Sequence, residues 1–140
     1  MIQEYEITEL IPQRTPIIMI DRLVEVTENG AVTSFTVMED NIFLDKNGKL
    51  RETGIIENIA QSASAMYGYK HCCLGNKKPL LGYIGEVKNF TCNSCPSIGE
   101  NLITTIERGV EIGGVTDVTG IVSVKGKIVA QTRLKIFIKE

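Results

Sequence analysis

The spacing of apolar residues changes twice along the chain, and each change predicts a different kind of element. Residues 17–26, IIMIDRLVEV, are mostly apolar and β-branched, and residues 31–38 alternate between apolar and polar, as half-buried strands do. Glu28, Asn29 and Gly30 separate the two runs. Because Asn-Gly readily adopts the positive φ angles of a tight turn, the pattern predicts a β-hairpin.

A helix is predicted after residues 39–52, where turn-forming residues cluster. Thr53 can cap this helix, and an apolar stripe at three- and four-residue spacing extends it to about Tyr69. The stripe consists of Ile56, Ile59, Ala60, Ala63 and Tyr67. The opposite side carries Ala and Ser rather than Lys and Glu, so we expect other elements to enclose the helix.

The second half of the chain is predicted to consist of strands at residues 80–91, 101–112, 115–125 and 128–138, with short turns between them. In the last strand, Ala130, Thr132, Leu134 and Ile136 share one face, which is typical of a half-buried antiparallel strand. Two strands, a buried helix and four more strands predict an α+β fold. We expect one domain, residues 1–140, with a curved antiparallel sheet wrapped around one long central helix.

Composition excludes several classes of function. A net charge of −2 gives no basic surface for nucleic acid, and no apolar run approaches the ~18 residues of a membrane span. The first ten residues are acidic, unlike a signal peptide, so we expect a cytoplasmic protein. Four cysteines occur as Cys72-Cys73 and as Cys92 and Cys95 in a C-x-x-C spacing. This spacing alone is a weak metal motif, so we predict reduced thiols and no metal or cofactor.

Four stretches carry a family resemblance: ITELIPQRTPIIMIDRLVEV, IIENIAQSASA, LLGYIGEVKNFTCNSCPSIGENLITTIE and VSVKGKIVAQTRLKIFI. In this order they resemble the 3-hydroxyacyl-[acyl-carrier-protein] dehydratases. NIFLDKNGKLRETGIIENIAQ is similar to the dehydratase-like proteins of aryl-polyene and flexirubin-type pigment synthesis. The resemblance implies the hotdog fold, an acyl carrier protein thioester as substrate in fatty acid or polyene synthesis, and a homodimer whose sites lie between the subunits.

The resemblance also suggests roles for residues of the central helix. Glu57 occupies the position of the family's catalytic carboxylate. Gln61 lies one turn later on the same face, where the family's glutamine fixes the carboxylate or polarises the substrate. Gly54 lies at the helix start, where backbone N–H groups can hold a thioester carbonyl. Each residue also has a structural interpretation. Glu57 could pair with an arginine or simply interact with the helix dipole, Gln61 could be a satisfied buried amide, and the Gly54 N–H could meet water or the Thr53 hydroxyl.

The family's active-site histidine is missing. Residues 41–52, which correspond to the loop that carries it, contain no histidine, and Gln13 stands where relatives have another. The Gln13 amide can bind substrate but cannot exchange a proton near neutral pH. His71 is the one histidine and lies about 21 Å from Glu57 along a helix, so it is not the missing partner. Asp45 is interpreted as a turn former.

Three functions therefore stay open. The first is a dehydratase that uses Glu57, and the second is a subunit that binds acyl thioesters or assists a second dehydratase-like subunit without catalysis. The third is a hotdog thioesterase in which Glu57 activates water. Lys46, Lys49, Arg51 and more distant lysines, including Lys77 and Lys78, would help an acidic carrier protein to dock, unless they are merely scattered surface charges.

Overall fold

The computed structural model describes residues 4–76 and 81–139. Its elements are α1 (Ile7–Leu10), β1 (Arg22–Val26), β2 (Gly30–Thr36), α2 (Glu52–Cys73), β3 (Leu81–Cys92), β4 (Asn101–Ile112), β5 (Val115–Val124) and β6 (Lys127–Lys139). The strands form one antiparallel sheet in the order β1-β2-β4-β5-β6-β3, and α2 contacts every strand of it. This arrangement confirms the predicted α+β hotdog fold.

Helix α2 is enclosed because its small residues allow neighbouring elements to approach closely. A Cβ at Gly68 would collide with the carbonyl oxygen of Leu10 in α1, and a Cβ at Gly120 of β5 would collide with Ile59. Eleven residues of α2 are buried, including Ile55, on several sides of the helix. The expectation of an enclosed helix is therefore confirmed. Neither helix in the described ranges combines the length and apolar character that crossing a bilayer requires.

The predicted limits of α2 were wrong at both ends. Arg51 occupies the N-cap in an extended conformation, and its carbonyl accepts hydrogen bonds from the N–H groups of Gly54 and Ile55. Thr53 therefore lies inside the first turn instead of capping it. The helix continues to Cys73 and ends beside Gly75, whose φ of 91° suits a residue that terminates a helix.

The first predicted strand begins too early, since β1 starts at Arg22 and not at residue 17. The backbone at Ile17 and Met19 bonds instead to the side chains of Asn58 and Gln61 in α2. Apolar periodicity cannot reveal this, because Met19 is as buried as a strand residue would be. The four later strands match their predicted ranges within one or two residues, although Leu80 lies outside the described residues.

The predicted hairpin is present, but its turn is not of the expected kind. Neither Asn29 nor Gly30 has a positive φ angle. Glycine is required at position 30 for a different reason: a Cβ there would lie 2.7 Å from the carbonyl oxygen of Ile106 in β4. The hairpin is then tied to β4, since the Arg108 N–H donates to the Asn29 carbonyl over 2.7 Å.

Candidate active site

A cavity of about 220 Å³ lies between one face of α2 and the strands β3 and β6. Along α2 its wall is made by residues spaced three or four apart, which therefore share one helix face. The lining residues are Gln13, Glu57, Ala60, Ser64, Tyr67, Gly82, Tyr83, Ile84 and Ile136. The cavity thus brings together five side chains that can take part in chemistry or hydrogen bonding, those of Gln13, Glu57, Ser64, Tyr67 and Tyr83.

The Glu57 carboxylate is fixed by the next turn of its own helix. Gln61 Nε2 donates to Glu57 Oε2 over 2.8 Å, as the spacing of four residues predicts. Among the described residues, no arginine or lysine forms an ion pair with Glu57. Arg14 and Arg51, two of the possible partners, donate to backbone carbonyls instead. The carboxylate therefore faces the cavity without a cationic partner in the described chain.

Gln61 is itself held by the segment that precedes β1. Its Oε1 accepts the Met19 N–H over 2.6 Å, and its Nε2 donates to the Ile17 carbonyl over 2.8 Å. With the bond to Glu57, the oxygen and both N–H groups of this fully buried amide have partners. Gln61 thus has both roles considered from the sequence, a satisfied buried amide and the residue that orients the carboxylate.

A buried polar network supports this arrangement from the side of α2 that packs on β2 and β4. Asn58 Nδ2 donates to the Met19 carbonyl over 2.7 Å, and Asn58 Oδ1 accepts from the Thr104 hydroxyl over 2.6 Å. The Ser62 hydroxyl lies 2.7 Å from the Asn58 carbonyl oxygen and 2.6 Å from the Thr33 hydroxyl. All four side chains belong to buried residues, so α2 is fixed to β2 and β4 by directional bonds as well as by apolar packing.

Two of the residues that line the cavity each carry a buried oxygen without such a partner. Among the described residues, the buried side-chain oxygens without a hydrogen bond are Gln13 Oε1 and Tyr67 Oη. Burial raises the pKa of the Tyr67 phenol. A weak hydrogen-bonding interaction with the Thr116 hydroxyl, which does not meet the geometry of a full hydrogen bond, and the charge of Arg108 partly oppose this shift. The phenol is consequently protonated at neutral pH.

Gly54 lies apart from these residues. Its backbone N–H donates to the Arg51 carbonyl over 2.9 Å, and it is not among the residues that line the cavity. It is buried against Phe43 and Leu50, where a Cβ would lie less than 3 Å from both side chains. Its close packing explains why the position is a glycine, whereas its binding of a thioester carbonyl stays a prediction.

The other ionisable candidates also lie outside the cavity. His71 occupies the last turn of α2, as its sequence distance from Glu57 implied. Asp45 Oδ1 accepts the N–H groups of Lys49 and Asn47, and these bonds lower the pKa of this turn-forming carboxyl. Lys46 and Lys49 are exposed on the same loop, while Lys77 and Lys78 lie outside the described residues.

The cysteines contribute no site within the described residues. Cys92 Sγ and Cys95 Sγ lie 3.8 Å apart as free thiols, and burial, followed by the hydrogen bond to Cys95, raises the pKa of Cys92 to about 11. Residues 4–76 and 81–139 contain no cluster of three His, Cys, Asp or Glu side chains arranged for a metal ion. The expectation that the protein uses no metal or cofactor stays a prediction.

Sequence reasoning missed part of the site. Tyr67 was assigned to an apolar stripe, and Ser64, Tyr83, Ile84 and Ile136 were not considered as cavity residues. A signal for the buried network was present in the strands. Thr33 and Thr104 each occupy an inward position between apolar residues that are two positions away on either side, where a hydroxyl requires a partner.

Together, the fold and the site define a hotdog-fold protein with a carboxylate held at a cavity between the helix and the sheet. The model of the family described as ApeP-like, ApeP dehydratase, matches residues 5–140. The chain is also 31% identical to the 3-hydroxyacyl-[acyl-carrier-protein] dehydratase FabZ of Streptococcus agalactiae serotype V, with 96% of each chain covered. The chain therefore belongs to the ApeP-like dehydratase family.

Solved structures agree with this fold. The dehydratase heterocomplex ApeI:P from Xenorhabdus doucetiae matches with a TM-score of 0.90 and 18% identity, covering 99% of this chain and 93% of the other. A hypothetical thioesterase with coenzyme A from Streptococcus pneumoniae has a TM-score of 0.66 and 11% identity, with 84% of each chain covered. At identities of 18% and 11%, these similarities establish the fold alone.

Proposed function

We propose that this protein removes water from 3-hydroxyacyl thioesters of acyl carrier protein, with Glu57 as the group that moves the proton. The observation that carries this proposal is the position of the Glu57 carboxylate, which lines the cavity and is oriented by Gln61. A carboxylate in this setting can act as a general base and, once protonated, as a general acid. The family and the FabZ relative support the choice of substrate and of reaction.

The proposed reaction needs one proton transfer in each direction. Glu57 takes the proton from C2 of the acyl group, the C2–C3 double bond forms, and the bond between C3 and the hydroxyl oxygen breaks. The proton on Glu57 passes to the departing oxygen, which leaves as water. The products are a 2-enoyl thioester and a carboxylate ready for the next cycle, so atoms and charge balance without a cofactor.

Gln13 is proposed to bind the substrate instead of exchanging a proton with it. Gln13 lines the cavity, and its amide group can form a hydrogen bond with the 3-hydroxyl. This bond would orient the leaving oxygen while Glu57 protonates it. Gly54 stays in the proposal as a donor to the thioester carbonyl, on the condition that its N–H leaves the Arg51 carbonyl.

We further propose that the working unit contains two hotdog subunits. Strand β3 ends the sheet, and no strand of the described residues pairs with its outer edge. Tyr83 and Ile84 on this strand line the cavity yet are 50% and 42% exposed. A second subunit along this edge would cover the apolar side chains and close the cavity wall. The partner is a second copy of this chain or another dehydratase-like subunit.

A second candidate function follows from the missing histidine. The cavity has Gln13 where relatives carry histidine, and His71 lies at the far end of α2. The chain would then bind the acyl thioester or support a catalytic partner without performing dehydration itself. Cytoplasmic location stays an expectation under either function.

The test compares the wild type with Glu57→Gln, using 3-hydroxyacyl thioesters of acyl carrier protein and mass spectrometry of the acyl group. We expect Glu57→Gln to lower the rate of water loss by about 10²- to 10⁴-fold, since it removes the acid–base group. Glu52→Gln is the matched control, because it makes the same change on an exposed residue of the same helix.

The alternatives have distinct outcomes in this experiment. Wild-type turnover in Glu57→Gln contradicts the role of Glu57. Release of the carrier thiol without loss of water identifies a thioesterase. Binding of the thioester without any reaction, by the chain alone, supports the non-catalytic function, and size-exclusion chromatography with light scattering then tests for the second copy.

A further inference from the structure

The Gln61 amide can orient the Glu57 carboxylate in only one of the two orientations that an amide group can take. With Nε2 toward Glu57, an N–H group donates to Oε2 over 2.8 Å. With the amide reversed, its oxygen would face the carboxylate and repel it. The backbone of residues 17–19 selects the first orientation, because the Met19 N–H donates to Gln61 Oε1 and the Ile17 carbonyl accepts from Nε2.

The segment that makes this selection is not part of the sheet. Residues 17–19 precede β1, which begins at Arg22, and they pair with no strand of the described chain. Asn58, three residues before Gln61, fixes the segment instead, since its Nδ2 donates to the Met19 carbonyl over 2.7 Å. The two helix side chains thus bind the carbonyl and the N–H of one residue, and both bonds form only when Met19 is in register with α2.

The Asn58 amide is itself oriented from β4. The Thr104 hydroxyl donates to Asn58 Oδ1 over 2.6 Å, which leaves Nδ2 to face the Met19 carbonyl. Asn58, Gln61 and Thr104 are each 0% exposed, so their bonds are shielded from water. A continuous series of bonds therefore leads from the sheet to the carboxylate, through Thr104, Asn58, Met19, Gln61 and Glu57.

We propose that Asn58 and Thr104 are positioning residues for the proton transfers made by Glu57. They keep residues 17–19 in register with α2, and this register keeps the Gln61 N–H directed at the carboxylate. In the proposed function, on which this role rests, Glu57 is the group that moves the proton. Neither Asn58 nor Thr104 lines the cavity, so both act without touching the substrate.

Loss of these bonds should lower kcat more than it raises KM. A reacting group displaced by about 1 Å can slow a reaction about a hundredfold, whereas the residues that bind the acyl chain keep their places. We expect Thr104→Val to lower kcat about tenfold and to change KM less than about threefold. Asn58→Ala removes the bond to Met19 itself and should lower kcat further.

Thr33→Val is the matched control, because it makes the same change at a second buried threonine. Thr33, in β2, bonds to the Ser62 hydroxyl and lies outside the series of bonds that includes Met19. All variants are assayed with 3-hydroxyacyl thioesters of acyl carrier protein, at a temperature at which circular dichroism shows them folded. Thr33→Val should keep kcat within about twofold of the wild type, and so should Thr104→Ser, which retains the hydroxyl. Equal losses of kcat in Thr104→Val and Thr33→Val would overturn the proposal.

A double-mutant cycle separates positioning from a general loss of stability. Gln61→Ala interrupts the series between Met19 and Glu57, so Thr104→Val should lower kcat no further in that background. The same fold loss in both backgrounds would show that Thr104 acts independently of Gln61, which contradicts the positioning role.

Hydrogen exchange of the Met19 amide, measured by NMR, reports the register without any turnover. In Thr104→Val this amide should exchange about tenfold faster relative to the amides of β5, which report opening of the whole domain, and in Thr33→Val it should not. If the wild type removes no water while the Met19 amide responds in this way, only the proposed function is contradicted. If the wild type is a dehydratase and neither kcat nor the Met19 amide responds to Thr104→Val, only the positioning role is contradicted.

Discussion

Helix α2 presents buried polar groups on two sides, and the two sides differ in how those groups are paired. Toward β2 and β4, the Asn58 and Ser62 side chains bond to Thr104, Thr33 and nearby backbone. On the cavity side, Tyr67 Oη has no partner in the described chain. Folding favours pairing of every buried polar group, so the Tyr67 hydroxyl is the less completely bonded group of the two sides.

Gln61 connects the two sides. Asn58 and Gln61 together bind the carbonyl and the N–H of Met19, which fixes the segment before β1 against the helix. The same Gln61 amide orients the Glu57 carboxylate at the cavity. The bonds on the β2 and β4 side of α2 therefore maintain the geometry of the cavity side. We expect variants that remove these bonds to lower the free energy of unfolding, and Tyr67→Phe on the cavity side to leave it unchanged or raise it.

The largest effect on stability is expected for Asn58→Ala. The variant leaves the Met19 carbonyl and the Thr104 hydroxyl buried without their partner, and it opens a small void. We expect the free energy of unfolding, measured with urea, to fall by about 3 kcal/mol. In a double-mutant cycle, Thr104→Val should lower the free energy of unfolding less in the Asn58→Ala background than in the wild type, because the bond between the two side chains is already absent there. Independent, additive losses would show that this bond contributes little.

The sequence predicted the fold better than it predicted this network. Strand β4 has its predicted limits, and the small residues of α2 correctly indicated an enclosed helix. Local periodicity carries that information. The partner of Asn58 in β4 is 46 residues away, and the partner of Ser62 in β2 is 29 residues away. Such pairings depend on how the sheet curves around α2, and the spacing of residues does not encode this.

A smaller effect is expected for Ser62→Ala, and Ser64→Ala provides a direct comparison on the same helix. Ser62 bonds to the Asn58 carbonyl and to Thr33, whose hydroxyl would lose its partner. We expect a loss of about 1 kcal/mol in the free energy of unfolding. Ser64 lines the cavity, so its replacement by the better helix former alanine should cost almost nothing. Equal losses in the two variants would contradict the difference between the two sides.

The smallest effect on stability is expected for Tyr67→Phe, and the sign of the change in the free energy of unfolding is more informative than its size. Removing a buried hydroxyl that has no partner should leave the free energy of unfolding unchanged or raise it, by at most about 1 kcal/mol. If it instead loses more than about 1 kcal/mol of stability, the interaction between the phenol and the Thr116 hydroxyl is a stabilising hydrogen bond. Tyr67 would then belong with Asn58 and Ser62, as a residue that maintains the fold.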